Sequence, residues 1–573
     1  MKRMKWFFLT VLLLAVACAP AIADDWQEWR GPNRDCISTE TNWLSSWPPD
    51  VVWTANVHRG CNSVAVYDGR LYAAGQDMET ATEIVQCFNA RTGALVWSNT
   101  LTLAVSNAYG NLSTPAVSGD KVYTFTPDNQ LVIWDRFTGS RLWEQKSDTS
   151  YPPDGAGSSP LVIGDRVIIN AGSFGSAIRS AMPFDPIWGD EFDTGTNSGY
   201  SSPVPITIGA TQYVAVINGS DILNLVPAYG DPGAEPALSV DMHDVFISAG
   251  TVHSDPIVYG ANKIFVCGTD GPAMLEVNSD PLEVLPLWGG TMTNMVCQYM
   301  NCVILNDYIY GCRFFPYWDG VQWKWVESIT CISAADGVRQ WERMFADEGL
   351  TMISTRPSLQ MKVVDDKILL FNEDGKLNIM KASHTGFDLE GRNWITPFSY
   401  NDPEGEFTTP VVADGLLYCR GGFGRLICYQ IGPTNTLPDN DDDGLPDPWE
   451  QDHFESRLLC VPGADSDGDG HSNEDEFTAG TTPTNKSSVL KAGITMADGK
   501  VRVSCDTVEA TGVEYGGKKR YYTFEMKTNL LNAAWEEIIG YIERVGDDST
   551  VVFTNATPAD STFYRIKAEL KLP

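Results

Sequence analysis

Two twelve-residue stretches in the C-terminal third place carboxylates at alternate positions and end on a glutamate. In DNDDDGLPDPWE (439–450), Asp439, Asp441, Asp443, the Leu445 carbonyl, Asp447 and Glu450 fall at positions 1, 3, 5, 7, 9 and 12, with Gly444 at position 6. In DSDGDGHSNEDE (465–476) the same positions hold Asp465, Asp467, Asp469, the His471 carbonyl, Asn473 and Glu476, with Gly470 at position 6. Alternation turns successive carboxylates toward one point, the glycine permits the sharp turn, and the last Glu can chelate with both oxygens. A hard cation seeking six to eight oxygens needs that arrangement, so the spacing predicts two EF-hand-like Ca²⁺ sites. An unliganded acidic linker has no reason to repeat every required position 26 residues later. The expected role is structural, the ions neutralising the carboxylates and stiffening a joint between domains.

Other chemistry-bearing residues are weaker candidates. His243, Asp244, His253 and Asp255 offer two imidazoles and two carboxylates, but a spacing of ten between the histidines fits no compact ligand motif and reads as a loop pair. Phe314, Phe315, Tyr317, Trp318, Trp323 and Trp325 form an aromatic insertion, ranked first as a contact surface for sugar or protein and otherwise a hairpin packed on its neighbour. Ser113, Ser158, Ser201 and Thr408 precede or neighbour prolines and read as hydroxyl turns rather than a ligand site. No G-x-S-x-G elbow is present, and no catalytic residue is assigned. Among the 13 cysteines there is no adjacent pair, C-x-x-C or C-x-x-C-H. Cys87, Cys267, Cys419 and Cys428 lie in apolar runs and read as small buried hydrophobes. Cys36 with Cys61, and Cys312 with Cys331, are the pairs to test for bridges; connectivity is open.

The elements around these residues follow one repeated grammar, clearest at 112–143. A Pro opens a short alternating run, a Gly-Asp turn leads to a second, and a Thr-Gly turn precedes a closing Trp. Closing tryptophans recur at Trp53, Trp97, Trp143, Trp188, Trp288, Trp341 and Trp394, and the gap of 100 after Trp188 is two periods, placing a Trp-less closing strand near Leu238. Opening triplets at 62–64, 113–115, 158–160, 201–203, 254–256, 301–303, 355–357 and 408–410 give the same number of units. A four-stranded meander of this length cannot bury both its faces and must stack on copies of itself. The fold expected for 24–431 is therefore an all-β, eight-bladed β-propeller. Residues 51–57 read as an orphan fourth strand and the last unit lacks one, so 51–57 should complete the final blade and clasp the ring.

Residues 1–23 have the layout of a signal peptide: Lys2, Arg3 and Lys5, an apolar run, then APAIA before Asp24. Cleavage is expected after Ala23; Cys18 as a lipidated N-terminus is the rival, weakened by a poor lipobox. The chain is expected to be exported to the periplasm, the cell surface or the medium. No later run approaches the ~18 apolar residues of a membrane span. A formal charge of −34 repels nucleic acid and anionic lipid. Past a Pro/Gly linker, the acidic loops occupy 432–487. Alternating runs at 501–505, 521–526, 549–554 and 563–570 then predict a small β-sandwich over 488–573, with Trp535 as its core anchor.

DWQEWRGPNRDCIS (25–38), VAVYDGRLYAAG (64–75), FNARTGALVW (88–97) and TTPVVADGLLYCRGGFGRLICY (408–429) resemble bacterial exported proteins with PQQ-like, BamB-like β-propeller repeats. Cys36 and Cys61 stand where that family carries other residues, which within the resemblance supports a bridge between them. The resemblance does not imply a quinone. Quinone-dependent relatives present a vicinal disulfide that this chain lacks, so pyrroloquinoline quinone is not expected. The acidic loops are similar to thrombospondin type 3 and dockerin-like Ca²⁺ modules, with Thr482 departing from the usual Asp. The reading is a secreted, non-catalytic scaffold or binding protein for an unknown protein or glycan. Its alternatives are a quinoprotein dehydrogenase acting on alcohols or sugars, and a glycan-binding surface protein.

Overall fold

The computed structural model describes residues 25–572 apart from 42, 44–47, 105–108, 147–154, 190–198, 231–232, 245–251, 253, 298–300, 319–320, 322, 349–358, 373–375, 395–407, 433–438, 440–442, 513–514, 532–533 and 557–561. The expected leader, the triplet at 355–357, His253 and Asp441 lie outside the described residues.

Antiparallel meanders span 65–102, 116–146, 161–188, 204–241, 257–289, 303–344, 359–394 and 411–430. The turns dictate the pairing. Asp68 and Gly69 hold φ of 52° and 68°, and Asn306 and Asp307 hold 51° and 65°. Two successive positive φ values match the right-handed twist of the flanking strands, so the second strand folds straight back. The last meander has only three strands of its own. Asp50–Asn56 supplies the fourth, antiparallel to Arg425–Gln430 with Trp53 opposite Cys428, as the orphan-strand reading of 51–57 predicts. The Trp-less outer strand is Leu238–Asp241.

Stacking accounts for the burial of both faces of the inner strands. Each of the large apolar clusters in this region is shared by two successive sheets. One more joins the last sheet to the first, through Tyr418 and Cys428 on one side and Val66 and Leu71 on the other. The outer tryptophans stitch the same joints. Trp53, Trp97, Trp288 and Trp341 each donate Nε1–H to a carbonyl of the following sheet, at 2.9, 2.8, 2.9 and 2.8 Å. The indoles of Trp53 and Trp97 lie flat on Gly93 and Gly139, where a Cβ would stand 2.6 and 2.5 Å from the ring. This close approach explains the Thr-Gly turn. Trp143 packs between the second and third sheets, 6.0 Å from Phe184; the Trp394 side chain lies outside the described residues.

Three expectations are corrected. Cys36 and Cys61 are not bridged: Cys36 is buried between the sixth and seventh sheets, whereas Cys61 follows Gly60, which pairs with Gly110 between the first and second. Cys312 and Cys331 are not bridged either. Cys312 faces Ile329 and Cys331 faces Tyr310, so the two are offset along the ladder. Trp535 does not anchor the C-terminal core. That core is Val503, Cys505, Tyr522, Phe524 and Ile538, between a sheet of Gly493–Ala497, Lys500–Asp506 and Thr550–Asn555 and a sheet centred on Lys519–Lys527. Trp535 is half-buried outside it, flanked by Lys527 and Arg565 at 4.8 and 4.5 Å.

The acidic region is a folded piece rather than a tether. Helices Asp447–Phe454 and Asn473–Ala479 bury Leu445, Trp449, Cys460 and Phe477 together. Arg457, 4% exposed, docks it on the ring: its backbone N–H donates to Asp68 at 2.8 Å, and its guanidinium meets Asp414 at 3.3 Å, Asp447 at 3.0 Å and Asp25. Arg520 ties it to the C-terminal sheet through the Phe477 and Thr478 carbonyls.

Candidate functional site

The second acidic loop closes on itself through Asp465. Its Oδ1 accepts the amides of Gly468 and Asp469 at 2.8 and 3.1 Å, and its Oδ2 accepts that of Gly470 at 2.9 Å. Asp467 and Asp469 each use Oδ1 on a backbone amide two residues on, at 3.1 and 2.9 Å. The loop then enters its helix through Ser472, whose hydroxyl caps Asp475. What remains is informative. Asp467 Oδ2, Asp469 Oδ2, Asn473 Oδ1 and Glu476 Oε2 are buried and accept no hydrogen bond. They come from loop positions 3, 5, 9 and 12, and ligand oxygens of Asp465, Asp467 and Asp469 lie within 4.8 Å of one another. Asn473 and Glu476 are 0% and 1% exposed. Burial, with Asp467 and Asp469 adding repulsion, pushes the Glu476 carboxyl up to about 7. An uncompensated set of buried oxygens is costly and suits a hard cation. Thr482 stands apart, its amide bonded to Ser488 at 2.9 Å.

The first loop is built alike where it is described. Asp439 accepts the Asp443 and Gly444 amides at 3.1 and 3.0 Å, and Asp443 accepts that of Leu445 at 2.9 Å. Leu445 is buried as a core residue, and Glu450 is fully buried at the start of its helix. Asp447, at position 9, differs from its counterpart Asn473 because one oxygen is held by Arg457. The two loops face one another. Trp449 and Phe477 meet edge-on at 5.2 Å, and Glu474 lies close enough to Asp443 to raise its carboxyl, although burial does so more.

The axis of the ring is filled by the chain itself. Trp26 exchanges amide bonds with Val66, the Gln27 carbonyl accepts from Val117, and Ile37–Ser38 pairs parallel to Val363–Val364. Residues 26–38 thus run along the free inner edges of the first, second and seventh sheets, covering edges that would otherwise invite another strand. At their turn, Arg34 is 1% exposed, pairs with Glu28 at 2.9 Å and donates to the carbonyls of Pro203, at 2.9 Å, and Pro160. Arg30 donates to the Cys302 carbonyl at 3.0 Å, and Trp29 to Asp255 at 2.6 Å.

Around this plug the opening hydroxyls form a relay. The Ser63 amide donates to the Thr114 hydroxyl, Thr114 to Ser159, Ser159 to Ser202, Ser202 to Asp255 and Asp255 to Asn301, at 2.6–3.1 Å. The hydroxyls making these bonds lie one residue later than Ser113, Ser158 and Ser201. They secure strand starts. Arg30 and Arg34 were not singled out from the sequence, although two arginines in a tight Gly-Pro turn were visible there.

The remaining candidates do not assemble. His243 is exposed and bonded to Asp241, away from Asp255 on the axis. The aromatic insertion forms a long hairpin, Tyr308–Trp318 with Trp323–Ser333, but apart from Phe314 its aromatic side chains lie outside the described residues. A cleft between the fourth and fifth sheets, lined by Thr207, Asn262, Asn278 and Ser279 among apolar residues, contains no acid, base or thiol. No helix among the described residues is long and apolar enough to cross a membrane.

A family model described as outer membrane protein assembly factor BamB matches residues 48–182. No curated protein matches the chain. Among solved structures, BamB from Moraxella catarrhalis is similar at 12% identity and TM-score 0.44, covering 66% of this chain and 97% of its own. A quinohemoprotein alcohol dehydrogenase from Pseudomonas putida gives 12% identity and TM-score 0.50, covering 71% and 80%. Sqt1 from Saccharomyces cerevisiae gives 8% identity and TM-score 0.46, covering 67% and 99%. The architecture is all-β and propeller-like, and residues 48–182 are similar to the BamB repeat family.

Proposed function

We propose that the chain is an exported, non-catalytic scaffold or binding protein, an eight-bladed propeller joined to a small β-sandwich by a module that holds two structural Ca²⁺ ions. The observation that carries the non-catalytic reading is the filled axis. A quinone the size of pyrroloquinoline quinone needs a cavity, and Arg30, Arg34 and Trp29 take up that position, with Arg30 Nη2 and Arg34 Nη1 bonded to the Cys302 and Pro203 carbonyls and Trp29 Nε1 to Asp255. Cys297 and Cys302 are not adjacent in sequence and offer no vicinal disulfide to cover a quinone. Those residues do not fit the group. The match to a family described as an assembly factor agrees with a protein ligand, and enclosed edges leave loops and outer strands as the available surface.

For Ca²⁺, the support is the four unbonded oxygens of Asp467, Asp469, Asn473 and Glu476. Asp465 would add a fifth ligand and the His471 carbonyl a sixth, within the range the ion takes. Titration calorimetry of EDTA-treated protein should give two bound Ca²⁺ with dissociation constants of ~10⁻⁴ to 10⁻³ M. No heat and an unchanged melting temperature would refute this part. Addition of pyrroloquinoline quinone with Ca²⁺ should leave no quinone absorbance on the desalted protein and no dye reduction with alcohols. Stoichiometric quinone with turnover would replace the scaffold reading by a dehydrogenase.

A further inference from the structure

Cys267, read from the sequence as a small buried hydrophobe, has company. Its thiol, that of Cys297 and that of Cys302 lie within 4.8 Å of one another. Cys297 and Cys302 Sγ are 2.8 Å apart, and Cys302 Sγ stands 3.3 Å from the thioether of Met295. All four residues are at most 2% exposed, at the joint of the fifth and sixth sheets. Their surroundings include Phe265, Met274, Ile304, Ile309 and Ile332, and among the described residues no imidazole or carboxylate joins the three thiols. The positions come from three places in the chain: the second strand of the fifth sheet, the segment after its last strand, and the opening of the sixth sheet.

From this geometry we infer a soft-metal site that takes one Cu(I) ion on the sulfurs of Cys267, Cys297 and Cys302, with Met295 as an axial neighbour. Three features favour it. Thiolate and thioether donors with no oxygen or nitrogen select Cu(I), whereas Zn²⁺ gains little from a thioether. A trigonal site with metal–sulfur bonds of about 2.3 Å needs sulfurs about 4 Å apart, so Cys297 and Cys302 must open by about 1 Å, while Cys267 already lies within 4.8 Å of both. Binding releases the three thiol protons, and three thiolates around a monovalent ion leave two negative charges. The Arg30 guanidinium, bonded to the Cys302 carbonyl, partly offsets them. A Cys297–Cys302 disulfide is the competing outcome, but it would use two sulfurs and leave Cys267 and Met295 without a role. The site is independent of the Ca²⁺ loops and of the non-catalytic reading.

The test is anaerobic titration of the reduced full-length protein with Cu(I), supplied as its acetonitrile complex against bicinchoninate. A parallel sample is refolded with Cu(I) present, because burial can block entry into the folded chain. One competitor-resistant ion per chain, with an ultraviolet sulfur-to-copper band, is expected by at least one route. Cys267→Ser and Cys302→Ser should each weaken binding at least 100-fold, and Met295→Leu, which preserves volume, about tenfold. Cys505→Ser, in the C-terminal core, should leave it unchanged. Absence of binding by both routes overturns the site. So does binding that survives both serine substitutions, or a Cys297–Cys302 disulfide in the isolated protein whose reduction creates no copper affinity.

Discussion

The axis of the ring and the second acidic loop both gather buried polar groups, and they end differently. Around the axis, donors and acceptors interleave: Arg34 finds Glu28 and two carbonyls, Trp29 finds Asp255, and the opening amides from Ser63 to Asp255 each find the next side chain, so that a few nitrogens such as Arg30 Nε and Arg34 Nε are left over. In the loop, the leftover atoms of Asp467, Asp469, Asn473 and Glu476 are all acceptors of one kind. A mixed set can satisfy most of its members and become structure. A single-sign set cannot, and this is the basis on which we propose a cation for the loop. The same contrast separates the two loops, since position 9 of the first has partly met its need through Arg457.

The largest effect is expected at the axis. Arg34→Ala leaves Glu28 buried without its partner, and breaking a buried pair from one side typically costs about 3–5 kcal/mol. Urea unfolding should show that loss equally in Ca²⁺ and in EDTA. A variant whose stability recovers in Ca²⁺ would mean that axis and loops are one cooperative system.

A smaller effect, opposite in its dependence on the ion, belongs to the loop. At a Ca²⁺ concentration about 100-fold above the dissociation constant, mass action adds about 2.7 kcal/mol. The double variant Asp467→Asn, Glu476→Gln, which keeps the oxygens that already accept hydrogen bonds, should abolish that gain while leaving the melting temperature in EDTA unchanged or slightly raised, because carboxylate repulsion is relieved. If it lowers the EDTA melting temperature as much as the Ca²⁺ one, the loop is held by its own hydrogen bonds and the contrast with the axis fails.

The legible features were those encoded within a few residues. The turn at Asp68-Gly69 and the closing Trp97 are local, and each appears where its pattern places it, while the alternation of Asp465, Asp467 and Asp469 brings their oxygens within 4.8 Å of one another. The clasp of Asp50–Asn56 was also readable, because the missing strand left a gap in a period. Contacts between segments far apart in sequence were not readable. Nothing near Arg34 announces that it meets Pro203, nothing near Arg457 points to Asp25, and Cys267 gives no sign of Cys297 and Cys302. Trp535 misled for the same reason. Size suggested a core anchor, yet Lys527 and Arg565 hold it half-buried at the edge.

The smallest expected effect tests how far a buried carboxyl at the opening end of the ring sets the pH dependence of stability. Glu83 is fully buried there, accepts a hydrogen bond from Asn111, and is pushed up to about 8, by burial first and by Asp128 second. Its folded value lies above its unfolded one, so its contribution to stability is complete below about 4.5 and is lost as pH rises through 8. Glu40, raised by burial to about 7, acts in the same direction. Lys362 acts oppositely: burial lowers it to about 7, so its contribution is present above 10.5 and is lost as pH falls through 7. Between pH 5 and 7 the carboxylates therefore dominate, and stability in EDTA should fall with rising pH. One group can contribute at most about 1.4 kcal/mol per pH unit, and water entry should bring the Glu83 share over this window nearer 1 kcal/mol. Glu83→Gln keeps an acceptor for Asn111 and removes the titration, so its denaturation midpoint should vary less with pH than the parent's. An equal slope in the variant would assign the pH dependence to Glu40 and the acidic loops, leaving the opening end of the ring electrostatically silent.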